Sequence, residues 1–108
     1  MDYIYSVSFG IRADQRGELE IGAPLEEALS YLKTLLPGEP GFVSAQAMYA
    51  LDADKAGQID VVFQSVWGTY GSVVSHQKSA LAADKVLSAF QPRVELQDLR
   101  VRIYEEVP

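Results

Sequence analysis

The segment from residue 58 to residue 90 constrains the fold of this chain more than any other part of the sequence. It opens with an alternating pattern, one phase of which contains Ile59, Val61, Phe63, Ser65 and Trp67. A period of two predicts a strand with one buried face. The pattern breaks at Gly68, and apolar residues then recur at helical spacing, so we expect a strand that leads directly into a helix. The same segment contains the only tryptophan and the only histidine, Trp67 and His76.

Three further segments show the strand pattern, and one shows a helix pattern. The strand patterns cover residues 3–12, 42–51 and 99–104. The helix pattern begins at Pro24, has acidic residues in its first turn and stops at Pro37-Gly38; its apolar stripe is Ala28, Leu29, Leu32 and Leu36. The polar tract at residues 52–57 predicts a hairpin between the second and third strands. A short amphipathic segment at residues 84–90 follows the second helix.

The resulting order is β-α-β-β-α-β, the ferredoxin-like or split βαβ motif. We expect one α+β domain over residues 1–108, with a four-stranded antiparallel sheet that carries two helices on one face. The apolar phase of the strands is expected under the helices: Tyr5, Val7, Phe9, Val43, Ala45, Ala47, Val61, Phe63, Trp67, Val101 and Ile103. The mixed phase predicts contact with a second copy, which would form a homodimer: Ser6, Ser8, Gln46, Met48, Val62, Gln64, Val66, Arg102 and Tyr104.

The composition excludes several functional classes. The 108 residues carry a formal net charge of −6, and the nine lysines and arginines are scattered, so neither nucleic acid nor a membrane is expected as a partner. The chain has no cysteine, which excludes disulfides and thiolate chemistry, and one histidine leaves little for zinc. We therefore expect no metal and no cofactor. No apolar run reaches the roughly 20 residues of a membrane-spanning helix, and the expected location is the cytoplasm.

The transition from the third strand to the second helix resembles a known superfamily. The strand ends in Val66-Trp67, breaks at Gly68-Thr69 and continues into a helix; the residues that carry the likeness after the break are Val73, Val74, His76, Ser79 and Phe90. This arrangement is similar to the dimeric α/β-barrel superfamily, and within it to the antibiotic-biosynthesis-monooxygenase-like domain. The resemblance implies a ferredoxin-like subunit that pairs into a barrel, with a pocket that has Phe63 and Trp67 in its wall.

The resemblance also implies a range of activities. Members of the superfamily include cofactor-independent monooxygenases of quinols and anthrone-like polyketides, haem-degrading enzymes and lactone isomerases. In the characterised monooxygenases an asparagine precedes the strand-end tryptophan by four residues, whereas this chain has Phe63 there and no asparagine at all. The Asn, Trp and His combination of the haem-degrading members is absent as well.

His76 is the candidate catalytic residue, because imidazole is the only side chain whose unperturbed pKa lies near neutrality. It lies at the edge of the helix's apolar stripe and points either into a pocket or to water, and no carboxylate stands three or four residues away to orient it. Trp67 either stacks against a flat aromatic ligand or fills the core. Tyr70 is a candidate hydrogen-bond donor to a ligand oxygen.

These residues leave three hypotheses open. In the first, a small quinol, anthrone or phenol binds against Trp67 and Phe63, loses a proton to His76 and reacts with oxygen as in a cofactor-independent monooxygenase. In the second, the chain is a non-catalytic dimeric module that binds a small molecule or a protein partner. In the third, the pocket is filled by the protein's own side chains and the domain acts through its surface.

Overall fold

Alternating side chains in four segments produce one antiparallel sheet. The computed structural model describes residues 2–12, 14, 23–79 and 97–108. The strands are β1 (Tyr3–Arg12), β2 (Phe42–Tyr49), β3 (Gln58–Trp67) and β4 (Gln97–Glu105). They lie side by side in the order β2-β3-β1-β4, and every neighbouring pair is antiparallel.

Two helices and a short 3₁₀ turn complete the described elements: α1 (Ala23–Leu35), the 3₁₀ turn (Leu36–Gly38) and α2 (Tyr70–Ser79). The order β1-α1-β2-β3-α2-β4 confirms the predicted ferredoxin-like α+β fold. Glu26 lies in the first turn of α1 and Lys33 in its last, where each charge complements the helix dipole. The amphipathic segment predicted at residues 84–90 lies outside the described residues.

The hydrophobic core lies between the sheet and the helices, as the apolar phase predicts. β1 is central, with Val7 opposite Phe63 of β3 and Val101 of β4. The buried apolar residues are Tyr5, Val7, Phe9, Ile11, Ala28, Leu32, Leu36, Ile59, Val61, Phe63, Trp67 and Val73. Their removal from water is the main stabilising contribution.

Two residues predicted for the core are wrong. Val101 lies on β4, an edge strand of the sheet, and is 42% exposed. The alternation places Val43 on the buried face, but Val43 is 53% exposed. The register of β2 against β3 shifts between Phe42 and Ser44, and this irregularity displaces the side chains before it. Phe42 instead lies opposite Trp67, and the two rings meet edge to face with centroids 5.6 Å apart.

The β2–β3 hairpin confirms the turn predicted from the polar tract. The carboxylate of Asp54 accepts hydrogen bonds from the backbone N–H groups of Ala56 at 2.9 Å and Gln58 at 3.0 Å. Gly57 has a φ of +77°, which glycine adopts without strain. Asp54 is therefore a residue that organises the turn.

Candidate functional site

His76 lies among aromatic rings at the interface of α2 and the sheet. Val73 and His76 are three residues apart, so both face the sheet from one side of α2, and both are buried. The imidazole stacks on Trp67, with centroids 4.6 Å apart and an interplanar angle of 26°. It meets the ring of Tyr5 edge-on at 4.7 Å. The side chain of His76 has no exposed surface.

Glu39 is a hydrogen-bond partner of His76. Glu39 Oε2 lies 3.2 Å from His76 Nδ1, so a neutral imidazole donates its Nδ1–H to the carboxylate. Glu39 directly follows the 3₁₀ turn, where its N–H donates to Leu36 C=O at 2.9 Å. Its own C=O accepts from the N–H of Phe42 at 3.3 Å. This tight connection brings a carboxylate to α2 from a distant part of the sequence.

Gly41 packs the connection against the start of α2. Its φ of +85° is the value that the third residue of a type II turn requires, and a Cβ there would overlap Ser72. The C=O of Gly41 accepts a hydrogen bond from Gly68 N–H at 2.8 Å. Ser72 N–H in turn donates to Thr69 Oγ1 at 3.2 Å, which caps the helix. The turn and the helix start therefore contact each other directly.

A pocket of about 560 Å³ opens between this connection and α2, and we call it the Glu39 pocket. Its described lining residues are Glu39, Pro40, Gly41, Thr69, Gly71, Ser72 and Ser75. The wall is mainly apolar, with a few hydroxyl groups, and Glu39 is the ionisable side chain among those described lining residues. A volume of this size lies within the range of small-molecule sites.

Burial has the largest effect on the protonation of the His76–Glu39 pair. Burial lowers the pKa of His76, and the charge and hydrogen bond of Glu39 oppose this change without cancelling it. The imidazole is therefore neutral at pH 7, and no imidazolium charge balances the carboxylate. The pKa of Tyr31 in α1 is raised, first by partial burial and then by the charge of Glu39. Its phenol therefore stays protonated beside the pair.

Two of the predicted ligand-binding residues lie in the core. Trp67 is fully buried, and its Nε1–H donates to Ser65 Oγ at 2.8 Å. Phe63 is 2% exposed and stacks with Phe9, with centroids 6.4 Å apart. Neither Trp67 nor Phe63 lines the Glu39 pocket. Trp67 stacks on His76, and His76 is hydrogen-bonded to Glu39 in the pocket wall.

The other two predicted site residues also lie outside the described lining. Tyr70 is 61% exposed, and its ring meets Tyr3 edge to face at 5.8 Å, while its neighbours Thr69 and Gly71 do line the pocket. His76 contacts the pocket through Glu39. The structure thus brings Trp67 and His76 together and leaves Tyr70 apart from them.

Sequence reasoning missed two residues of this site. Glu39 stands between the pairs Pro37-Gly38 and Pro40-Gly41, so the sequence could have placed it in a tight connection, although not beside His76. Ser65 is the polar residue within the apolar phase of β3. A hydroxyl two residues before a buried tryptophan is the natural partner of the indole N–H.

A second, smaller pocket of about 250 Å³ lies on the sheet face away from the helices, between Ser8, Asp60 and Arg100. It belongs to the face for which the sequence predicts contact with a second copy. Within the described residues, no three His, Asp or Glu side chains are grouped so that they could hold a metal ion. Neither helix in that part of the chain is long and apolar enough to cross a membrane.

The sheet order and the placement of the helices define a ferredoxin-like fold, and several solved structures of this fold match the chain. A protein from Deinococcus radiodurans proposed to be an antibiotic biosynthesis monooxygenase matches with a TM-score of 0.59 and 14% identity, over 98% of this chain and 93% of that one. SnoaB, a cofactor-independent oxygenase from Streptomyces nogalater, matches with a TM-score of 0.53 and 12% identity, over 99% of this chain and 94% of its own. No protein-family model and no curated protein matches the sequence.

These likenesses confirm the resemblance at the level of the fold. The de novo designed protein Foldit4 also matches, with a TM-score of 0.50 and 9% identity, over 99% of this chain and 100% of its own. A designed chain and an oxygenase therefore share this architecture, and the fold alone assigns no activity.

Proposed function

We propose that this chain is a cofactor-independent monooxygenase that acts on a small hydroxylated aromatic compound bound in the Glu39 pocket. The observation that carries the proposal is a carboxylate at the wall of a largely apolar pocket, held 3.2 Å from a buried imidazole. The shared fold with SnoaB, described as a cofactor-independent oxygenase, supports it. Quinols, anthrones and phenols carry the weakly acidic protons that such a base removes.

The proposed reaction begins with proton transfer to Glu39 from a substrate O–H or ring C–H. The resulting anion supplies two electrons to O₂ and forms a carbon–oxygen bond, and Glu39 returns the proton to the outer oxygen. The hydroperoxide then loses water and leaves a carbonyl group. With anthrone the sum is anthrone plus O₂ to anthraquinone plus water, so one oxygen atom enters the product and the other enters water.

His76 serves in this proposal as the positioning residue for Glu39. Its Nδ1–H holds Oε2 and leaves Oε1 for the substrate, and the indole of Trp67 fixes the plane of the imidazole. Orientation by a buried hydrogen bond is a general way in which proteins prepare a catalytic group. The prediction from sequence that His76 itself takes the proton stays a prediction, and the variants below separate the two roles.

The test is aerobic turnover of anthrone and of 1,4-naphthohydroquinone, followed with an oxygen electrode and by chromatography of the product, with ¹⁸O₂ as the label. Glu39→Gln should lower kcat by about a hundredfold or more, because it removes the base. Glu27→Gln, the same change on the exposed face of α1, should leave kcat unchanged.

Two substitutions of His76 distinguish a positioning residue from a base. In His76→Phe the ring remains but the donor is lost, and we expect kcat to fall by roughly tenfold to a hundredfold. In His76→Gln an amide N–H again donates to Glu39, and much of the activity should return. Activity that is lost equally in both folded variants would identify His76 as the base, and full activity in both would exclude it from the reaction.

The complete burial of His76 favours one second candidate, a binding module that holds the same ligand without converting it. Saturable binding of anthrone with no product above the spontaneous rate would establish that function. The homodimer and the cytoplasmic location expected from the sequence are part of the proposal in either case.

A further inference from the structure

Among the described residues of its wall, the Glu39 pocket carries negative charge only. Glu39 supplies a carboxylate that is about one third exposed, at 32% of its side-chain surface. The other described lining residues are proline, glycine, serine and threonine, so none of them brings a positive charge. Their hydroxyl and backbone groups can pair with neutral polar groups of a ligand.

His76 does not cancel this charge. Its side chain has no exposed surface, and burial opposes the imidazolium form, so the carboxylate faces the pocket with a neutral partner behind it. When Glu39 deprotonates a neutral substrate, one negative charge moves from the protein to the ligand, and the net charge in the pocket stays the same. An anionic substrate would place a second negative charge in the same mainly apolar space, where like charges repel strongly.

We infer that the Glu39 pocket selects uncharged aromatic ligands and rejects those that carry a carboxylate or phosphate, with Glu39 as the residue that determines this specificity. The inference rests on the proposed function, because it concerns the same site. It names the substrate class as neutral, hydroxylated and aromatic. A substrate that reaches the pocket must therefore be made, or freed of its acidic groups, by an earlier reaction that leaves no ionised group on it.

The experiment uses three ligands of matched shape in isothermal titration calorimetry at pH 7: 2-naphthol, 2-naphthamide and 2-naphthoate. The amide and the carboxylate differ mainly in charge, so their comparison isolates the electrostatic contribution. The wild-type protein should bind 2-naphthol and 2-naphthamide, and it should bind 2-naphthoate roughly tenfold or more weakly. In Glu39→Gln the affinities for the amide and the carboxylate should converge, whereas Glu27→Gln should keep the wild-type difference.

Each other outcome overturns the inference. Equal affinity of the wild-type protein for the amide and the carboxylate would show that Glu39 does not select by charge, and turnover of anthrone would still support the proposed function. A preference that survives in Glu39→Gln would assign the selection to another group. Binding of none of the three ligands would show that the pocket does not take uncharged aromatic compounds, and the turnover assay then decides the proposed function separately.

Discussion

At the scale of single residues, the contact between His76 Nδ1 and Glu39 Oε2 joins two groups that are affected differently by burial. The imidazole is enclosed by Trp67 and Tyr5 and is favoured in its neutral form, whereas the carboxylate faces the pocket. A neutral donor that is held by ring stacking fixes the position of the carboxylate without neutralising it. The proposed reactivity depends on this hydrogen bond, and the proposed charge selectivity depends on the carboxylate that it holds.

The lowered pKa of His76 predicts how stability changes with pH. The unfolded chain binds a proton at His76 near the ordinary value of about 6.5, and the folded protein binds it only at lower pH. Stability should therefore be greatest above that ordinary value, fall as the pH decreases through it, and stop falling from this cause below the folded pKa. Urea unfolding followed by circular dichroism between pH 5 and pH 8 measures this dependence.

His76→Phe is the matched control for that measurement, because His76 is the only histidine of the chain. The variant should lose the pH dependence in this range. An unchanged dependence in His76→Phe would assign it to other groups.

Some residues of the site could be predicted from the sequence and others could not. Trp67 and His76 follow from the end of a strand and the apolar stripe of the next helix, and both signals are local. Glu39 could not be found by helix spacing, because it reaches His76 from a connection that no periodicity describes. Its pairing depends on the tertiary contact of a turn with α2, which a single sequence does not encode as a pattern.

At the scale of elements, the connection from the 3₁₀ turn to β2 determines the shape of the Glu39 pocket. Pro40 and Gly41 occupy the centre of the turn, and Gly68 N–H bonds to Gly41 C=O, which joins the turn to the end of β3. The strands and helices were predictable because each shows its own period. The register shift between Phe42 and Ser44 was not predictable, because a shift by one residue leaves the composition of the strand unchanged.

Gly41→Ala should be more damaging than a comparable change elsewhere. A Cβ at Gly41 adds strain at positive φ and overlaps Ser72, so the turn must move and Glu39 must move with it. We expect the free energy of unfolding to fall by more than the strain at positive φ explains. We also expect kcat to decrease by roughly tenfold or more. Urea unfolding and the anthrone assay report the two effects.

Gly57→Ala supplies the matched control, because Gly57 also has positive φ but nothing lies within 4 Å of the added Cβ. The alanine would adopt a strained backbone conformation, which should lower the free energy of unfolding by about 1–2 kcal/mol and leave kcat unaffected. Equal losses of stability and activity in the two variants would contradict a specific role for the turn at Gly41.

At the scale of the whole molecule, one face of the sheet is covered by helices and the other is not covered by any described element. The uncovered face carries partly exposed apolar side chains, among them Met48 at 42% and Tyr104 at 48% exposure. Polar groups lie between them, and Gln46 Nε2 donates to Gln64 Oε1 at 2.9 Å. A mixed face of this kind suits contact with an identical face.

Met48→Glu should therefore weaken the proposed homodimer. The new charge would be buried against its own copy across a two-fold interface, and two like charges near one another oppose association. Sedimentation velocity should show a dimer for the wild-type protein and a shift toward monomer for the variant. Leu35→Glu, at a 51% exposed position at the end of α1, should remain dimeric. A monomeric wild-type protein, or an unaffected Met48→Glu dimer, would exclude this face as the interface.

The central position of β1 has a consequence for how the protein is made. Tyr3 pairs with Trp67 on one side and with Glu105 on the other, so the two neighbours of β1 are synthesised far apart in time. While a ribosome is still translating, β1 keeps one row of backbone donors and acceptors open until β4 emerges. An open edge can pair with other chains, and a product that stops before β4 would keep β1 as an exposed edge strand of a three-stranded sheet. Interrupted translation should therefore yield aggregation-prone chains, even though most of the core residues have already been made.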